Sequence, residues 1–114
     1  MLSVMWKATR PESELDFIRS KMAAAFSDDF GSEWREDELY YEVIDDEHFE
    51  KGAYDPIIRA TISFVAVCNI DYGEAEVYTY WYENFLKNKL RVDDVFIEFK
   101  YTSNDWTTWR PTVY

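Results

Sequence analysis

The chain has 114 residues, 47% of them apolar and 19% aromatic, with only three glycines and three prolines. That composition predicts one folded domain over residues 1–114 and excludes a disordered acidic tail. The formal net charge of −11 repels nucleic acid and anionic lipid at long range, so direct binding to either is not expected.

One cysteine, Cys68, leaves no intramolecular disulfide and fits a reducing compartment. Met1 to Glu12 holds no apolar run of signal-peptide length, and the longest run, Ile62 to Cys68, is too short to span a bilayer. The expected location is cytoplasmic, with no membrane partner.

Along the chain, Leu2 to Trp6 reads as a short strand. Leu15, Ile18, Met22, Ala25 and Phe26 then recur at the spacing of an amphipathic helix, with Asp16, Arg19, Ser20 and Lys21 mostly opposite. Thr9 and Glu12 have the form of a capping box, and Pro11 is tolerated in a first turn. The helix is placed at about residues 11–27. Ser27 to Asp37 reads as a polar connection broken by Gly31.

Leu39, Tyr41 and Val43 alternate with Glu38, Tyr40 and Glu42, the period of a half-buried strand, and the outward acids suit a sheet edge. Asp45 to Asp55 reads as a loop closed by Pro56. Ile57 to Ile70 predicts a longer, central strand covered in part on both faces. Glu74 to Leu90 fits either period. Its Val, Thr, Tyr and Trp content favours a strand, with Asp71-Tyr72-Gly73 as the reversal before it. Val95 to Tyr101 alternates as a strand, Ser103-Asn104-Asp105 turns the chain, and Trp106 to Val113 returns as an edge strand limited by Pro111.

The expected fold class is α+β, with an N-terminal amphipathic helix packed on an antiparallel β-sheet meander. If Glu74 to Leu90 is helical instead, the order becomes β-α-β-β-α-β, as in the ferredoxin-like arrangement.

The most informative pattern is the charge layout. Between Asp28 and Asp55 twelve acids face only Arg35 and Lys51, so this stretch carries ten of the eleven net negative charges. Folding gives no reason for that concentration. It predicts either a solubilising surface or a docking face for a basic partner, with aromatics Phe30, Trp34, Tyr40, Tyr41, Phe49 and Tyr54 supplying contact area.

Asp45-Asp46-Glu47-His48 with Glu50 matches no EF-hand or zinc spacing, so no metal and no cofactor is expected. His48 has no recognisable catalytic company, Cys68 in an apolar strand reads as core, and no phosphate loop or nucleophile elbow is present. Paired acids are numerous without two being singled out, and an enzyme is not expected.

The function expected is binding without turnover. The chain would inhibit or regulate a nucleic-acid-binding protein by imitating nucleic acid on its basic surface. Glu33, Glu36, Asp37, Glu38, Glu42, Asp45, Asp46 and Glu47 would carry the contact, with Trp34 and Tyr40 as anchors. In size and charge layout this is similar to the small acidic inhibitors that bacterial and archaeal viruses aim at host defence and repair machinery. No motif is matched residue by residue.

The alternative is a small-ligand-binding or dimerising α+β domain, in which the acids only solubilise. Its support is a second aromatic cluster, Tyr72, Tyr78, Tyr80, Trp81, Tyr82, Phe85, Phe96, Phe99, Tyr101, Trp106 and Trp109, either core and cross-strand pairs or an exposed binding face.

Overall fold

The computed structural model describes residues 1–103 and 106–113, with side chains through Lys100. Strand β1 is Leu2–Pro11 and leads without a break into helix α1, Glu12–Phe30. Strand β2, Trp34–Asp45, is followed by a small hairpin of β3, Phe49–Glu50, and β4, Ala53–Tyr54. Then come β5, Ile57–Ala66, helix α2, Tyr72–Asn84, which runs into a π-helical turn at Phe85–Lys89, and strands β6, Asp94–Ser103, and β7, Trp106–Val113.

The main sheet has the order β2-β5-β1-β6-β7, with every pairing antiparallel. Without the small hairpin and β7, this is β-α-β-β-α-β with the strand order of the ferredoxin-like arrangement. A helix packed on an antiparallel sheet is thus what the chain forms. The meander is not, because β1 and β5 are brought together across α1 and β2.

Alternation decides which face of the sheet is covered. Leu2, Val4 and Trp6 on β1 stand opposite Ala66, Phe64 and Ile62 on β5 and opposite Phe99, Ile97 and Val95 on β6. All nine are buried. Against this face α1 sets Leu15, Ile18, Met22 and Phe26, α2 sets Ala75 and Tyr82, and the π-helical turn sets Leu86, in one continuous core. Among the described residues, no helix packs on the other face. Phe26 is fully buried, and its ring meets Phe64 on β5 at 5.4 Å, Trp34 on β2 at 6.1 Å and Tyr82 on α2 at 4.8 Å between centroids.

Glu74 to Leu90 is helical, against the strand preferred from its β-branched and aromatic content. Asp71 caps it, its carboxylate accepting the Glu74 N–H at 2.8 Å. Its buried stripe is Ala75, Thr79, Tyr82 and Leu86, while Val77 and Trp81 lie outside it at 66% and 46% exposure. Residues at four- and three-residue steps face the sheet together, so tertiary burial overrides local β-propensity.

The start of α1 also differs from expectation. Thr9 lies within β1, and no capping box forms. The cap comes instead from Asp55, just before β5. Its carboxylate accepts the Ser13 N–H at 2.8 Å and the Ser13 hydroxyl at 2.5 Å. The Glu12 N–H donates to the Pro56 carbonyl at 2.9 Å. A capping anion at a helix N-terminus also faces the positive end of the helix dipole.

Three smaller differences follow. The Asp45–Asp55 loop contains the β3–β4 hairpin, whose turn residues Lys51 and Gly52 both have positive φ, as a type I′ turn requires. Cys68 lies beyond the end of β5, half-buried, with burial pushing its thiol pKa up. The second aromatic cluster is divided: Tyr82 and Phe99 are buried, while Tyr80 and Trp81 are exposed. Asn104 and Asp105 of the expected turn, and the side chains of Tyr101, Trp106 and Trp109, lie outside what is described. β7 forms the second edge of the sheet, where Pro111 is tolerated.

Two outcomes test this account. Phe26→Ala removes a side chain shared by both helices and two strands, and chemical denaturation should show a loss of about 3–5 kcal/mol. The Ser13 hydrogen bonds hold the Asp55 carboxyl below its ordinary pKa, so its stabilisation is present above the unfolded value of about 3.9 and is lost as pH falls through the folded value. Asp55→Asn should therefore melt at a lower temperature than the parent at pH 7, with the gap closing as the pH is taken below about 4.

Candidate partner-binding edge

Among the described residues strand β2 pairs only with β5, at one edge of the sheet, so its other side is unpaired there along its twelve residues. Two bulges shape it. Leu39 is the extra residue between the pairs Glu38–Ile62 and Tyr40–Thr61, and Ile44 is the extra residue between Val43–Ile58 and Asp45–Ile57. Bulges and charge are both devices that blunt an edge strand.

The first bulge resets the alternation that the sequence implied. Glu36, Glu38, Tyr41 and Val43 stand opposite Phe64, Ile62, Ala60 and Ile58 and share the helix side of the sheet. Asp37, Tyr40 and Glu42 stand opposite Ser63, Thr61 and Arg59 on the uncovered side. The expected half-buried stripe of Leu39, Tyr41 and Val43 does not form. These residues are 57%, 38% and 48% exposed, and Ile44 is 41% exposed. Helix α1 packs chiefly on β5 and β1 and only lightly on β2; at its start Glu12 reaches the Tyr41 hydroxyl, yet the apolar side chains of this stretch stay exposed.

Several of the acids are engaged from outside their own segment. Arg19 on α1 bonds Glu36 through Nε at 2.6 Å and approaches Glu38 through its second amino group at 3.6 Å. Arg59 on β5 approaches Glu42 at 3.7 Å. Arg35 pairs with Asp37 at 3.1 Å. The Tyr40 hydroxyl donates to Glu42, and the Tyr41 hydroxyl donates to Glu12 at 2.8 Å. Partial burial and the hydrogen bond to Glu12 push the Tyr41 phenol up to about 12, so it stays protonated and donating at neutral pH.

Beyond the second bulge the charge is less compensated. Asp45, Asp46 and Glu47 are exposed at the turn, with the Asp45 carboxylate accepting the Glu47 N–H at 3.0 Å. His48 lies 3.9 Å from Glu50. The hairpin projects Phe49 and Tyr54, 60% and 59% exposed, edge to face at 5.9 Å. Asp55, the last acid of the stretch, is turned inward to cap α1.

The ten residues singled out from sequence therefore fall into three settings. Glu33 and Trp34 lie at the start of the strand. Trp34 is half-buried against Phe26 and Phe64, and its Nε1–H donates to the Ser27 hydroxyl at 3.1 Å, so its ring completes the core. Glu36, Asp37, Glu38, Tyr40 and Glu42 flank the strand on its two faces within ion pairs and hydrogen bonds. Asp45, Asp46 and Glu47 form the tip. Sequence reasoning missed the arginines arriving from α1 and β5, which no local pattern reveals, and it missed the exposure of Leu39, Val43 and Ile44.

Among the described residues, no group of three or more His, Cys, Asp or Glu side chains converges as a metal site, and no helix is long and apolar enough to cross a membrane. Comparisons with known protein families, with curated proteins and with solved structures find no match to this chain.

Arg19 ties the near half of the edge to the helix. Arg19→Ala should cost about 0.5–1 kcal/mol in urea denaturation, the scale of a partly exposed ion-pair network. The difference from the parent should shrink as salt is raised.

Proposed function

We propose that this protein acts by docking the far half of β2 and the adjoining hairpin onto the basic surface of a nucleic-acid-binding protein, and that it inhibits or regulates that partner without chemical turnover. One observation carries the reading: Leu39, Tyr40, Val43, Ile44, Phe49 and Tyr54 are all between 41% and 60% exposed, on the same stretch as Glu42, Asp45, Asp46, Glu47 and Glu50. An acidic surface that served only solubility has no use for six exposed large apolar side chains. Apolar groups ringed by charge are the usual anatomy of a protein interface: the aromatics supply affinity, and the charges supply encounter rate and choice of partner.

A basic partner also suits the edge better than a second copy of this chain does. Self-pairing of β2 would lay Glu and Asp residues along Glu and Asp residues, and like charges across a strand pair are destabilising. A surface lined with Lys and Arg would satisfy the same carboxylates. The ions already bound to Arg19, Arg35 and Arg59 contribute less to such a contact than the tip acids do, because their field is partly cancelled at short range.

The test separates charge from apolar area. The chain is used to capture proteins from a host lysate at low and at high salt, beside a variant with Glu42, Asp45, Asp46 and Glu47 all changed to Lys. The reading expects captured nucleic-acid-binding proteins that are released by salt, that lose nucleic acid when the chain is added, and that ignore the reversed variant. Capture that survives both the four reversals and high salt would refute it.

A further inference from the structure

A second candidate site lies between the two helices and differs from this edge in charge. Trp81, Phe85 and Lys89 follow one another at four-residue steps along α2 and its π-helical continuation, which brings them along one stripe. The Trp81 and Phe85 rings are stacked on one another, their planes 11° apart and their centroids separated by 5.0 Å, so Phe85 backs one face of the exposed indole. Lys21 borders the same cleft from α1, its ammonium resting 5.3 Å from the centroid of the Phe17 ring one turn earlier on that helix. Together with Asn84 and Leu90 these residues line a cleft of about 430 Å³ between the two helices.

Three features set this cleft apart. It is lined by two lysines and by no acid, in a chain of net charge −11. Its wall includes a tryptophan that is 46% exposed and lies outside the buried stripe of its own helix. The helix opens into its π turn at Phe85–Lys89, where the Leu90 N–H bonds to the Phe85 carbonyl at 3.0 Å, and such turns recur at functional sites.

From this geometry we infer that the cleft between α1 and α2 binds a small planar aromatic anion, its ring stacked on the Trp81 indole that Phe85 supports and its carboxylate or phosphate held by Lys21 and Lys89. The volume lies within the range of small-molecule sites. Ring stacking alone discriminates poorly, and an ammonium alone holds an anion weakly in water. The two together select a ligand that carries both groups, and the Asn84 amide adds a polar contact at the rim. The acidic edge would repel the same ligand, so binding is directed to this one place. This site is independent of the docking reading above.

Titration of the ¹⁵N-labelled full chain, followed by amide resonances, tests it. The probes are adenosine 5′-monophosphate and indole-3-acetate, with adenosine and indole as neutral counterparts. Saturable shifts centred on Lys21, Trp81, Asn84, Phe85 and Lys89 are expected for at least one of the anions, with its neutral counterpart about tenfold weaker or more. Trp81→Ala, and separately the pair Lys21→Gln with Lys89→Gln, should each weaken that anion about tenfold while the melting temperature is kept. The Lys-reversed edge variant should bind it as well as the parent does. No saturable shift with either anion would overturn the assignment. So would equal binding of the neutral probes, shifts centred elsewhere, or a self-association in sedimentation that Trp81→Ala abolishes.

Discussion

Phe26 is the point on which the arrangement of this protein turns. Its ring lies between α1, which carries it, and three others: Phe64 on the central strand β5, Trp34 at the start of β2, and Tyr82 on α2. Tyr82 is itself fully buried, and its hydroxyl donates to Asp29 at 2.7 Å, back on α1. Burial, and then this bond, keep the phenol protonated well above its ordinary range. Both helices are thereby held to one face of the sheet. With that face filled, the strand richest in acids has only the edge left to it, because a central position would bury carboxylates on both sides.

The edge position then accounts for the electrostatics. A charged strand at the margin can turn its acids to either face and remain hydrated, and β2 does both. On the helix side, Arg19 gathers Glu36 and Glu38. On the uncovered side, Arg59 and Tyr40 meet Glu42. Compensation declines toward Asp45, Asp46 and Glu47, so the net field is strongest where the apolar side chains are also exposed. The single rim of charge implied by the sequence is in the structure a gradient, partly neutralised near the core and open at the tip. The opposite polarity appears between the helices, where two lysines flank an exposed tryptophan. A strongly acidic chain thus presents two surfaces of different chemistry.

Much of the fold was legible because one physical rule was enough to read it. Leu15, Ile18, Met22 and Phe26 all turned out to be buried, since a helix with one apolar stripe has one way to hide it. The acids of β2 marked an edge for the same kind of reason. α2 was harder. Val77, Thr79, Tyr80 and Trp81 favour a strand locally, and the sequence shows no preference strong enough to reverse that. The sheet supplies the missing factor by burying Ala75, Tyr82 and Leu86 together. The α1 cap was out of reach for a different reason: Asp55 is 42 residues from Ser13, and no local motif encodes that distance.

What the covalent order determined by itself is how much charge this chain carries, that nearly all of its excess lies between Asp28 and Asp55, and that an amphipathic helix and alternating strands must share a core. Those are sums and periods, and they survive any packing. Tertiary structure alone decided which acids stay unpaired, because ion pairing acts over a few ångströms and Arg19 and Arg59 come within that range only through packing and strand register. One extra residue at Leu39 moved Tyr40 to Val43 to the opposite faces, and the second at Ile44 reversed the shift at Asp45. The candidate docking surface is the product of those two bulges, of the light packing of α1 on β2, and of the capping role that draws Asp55 inward.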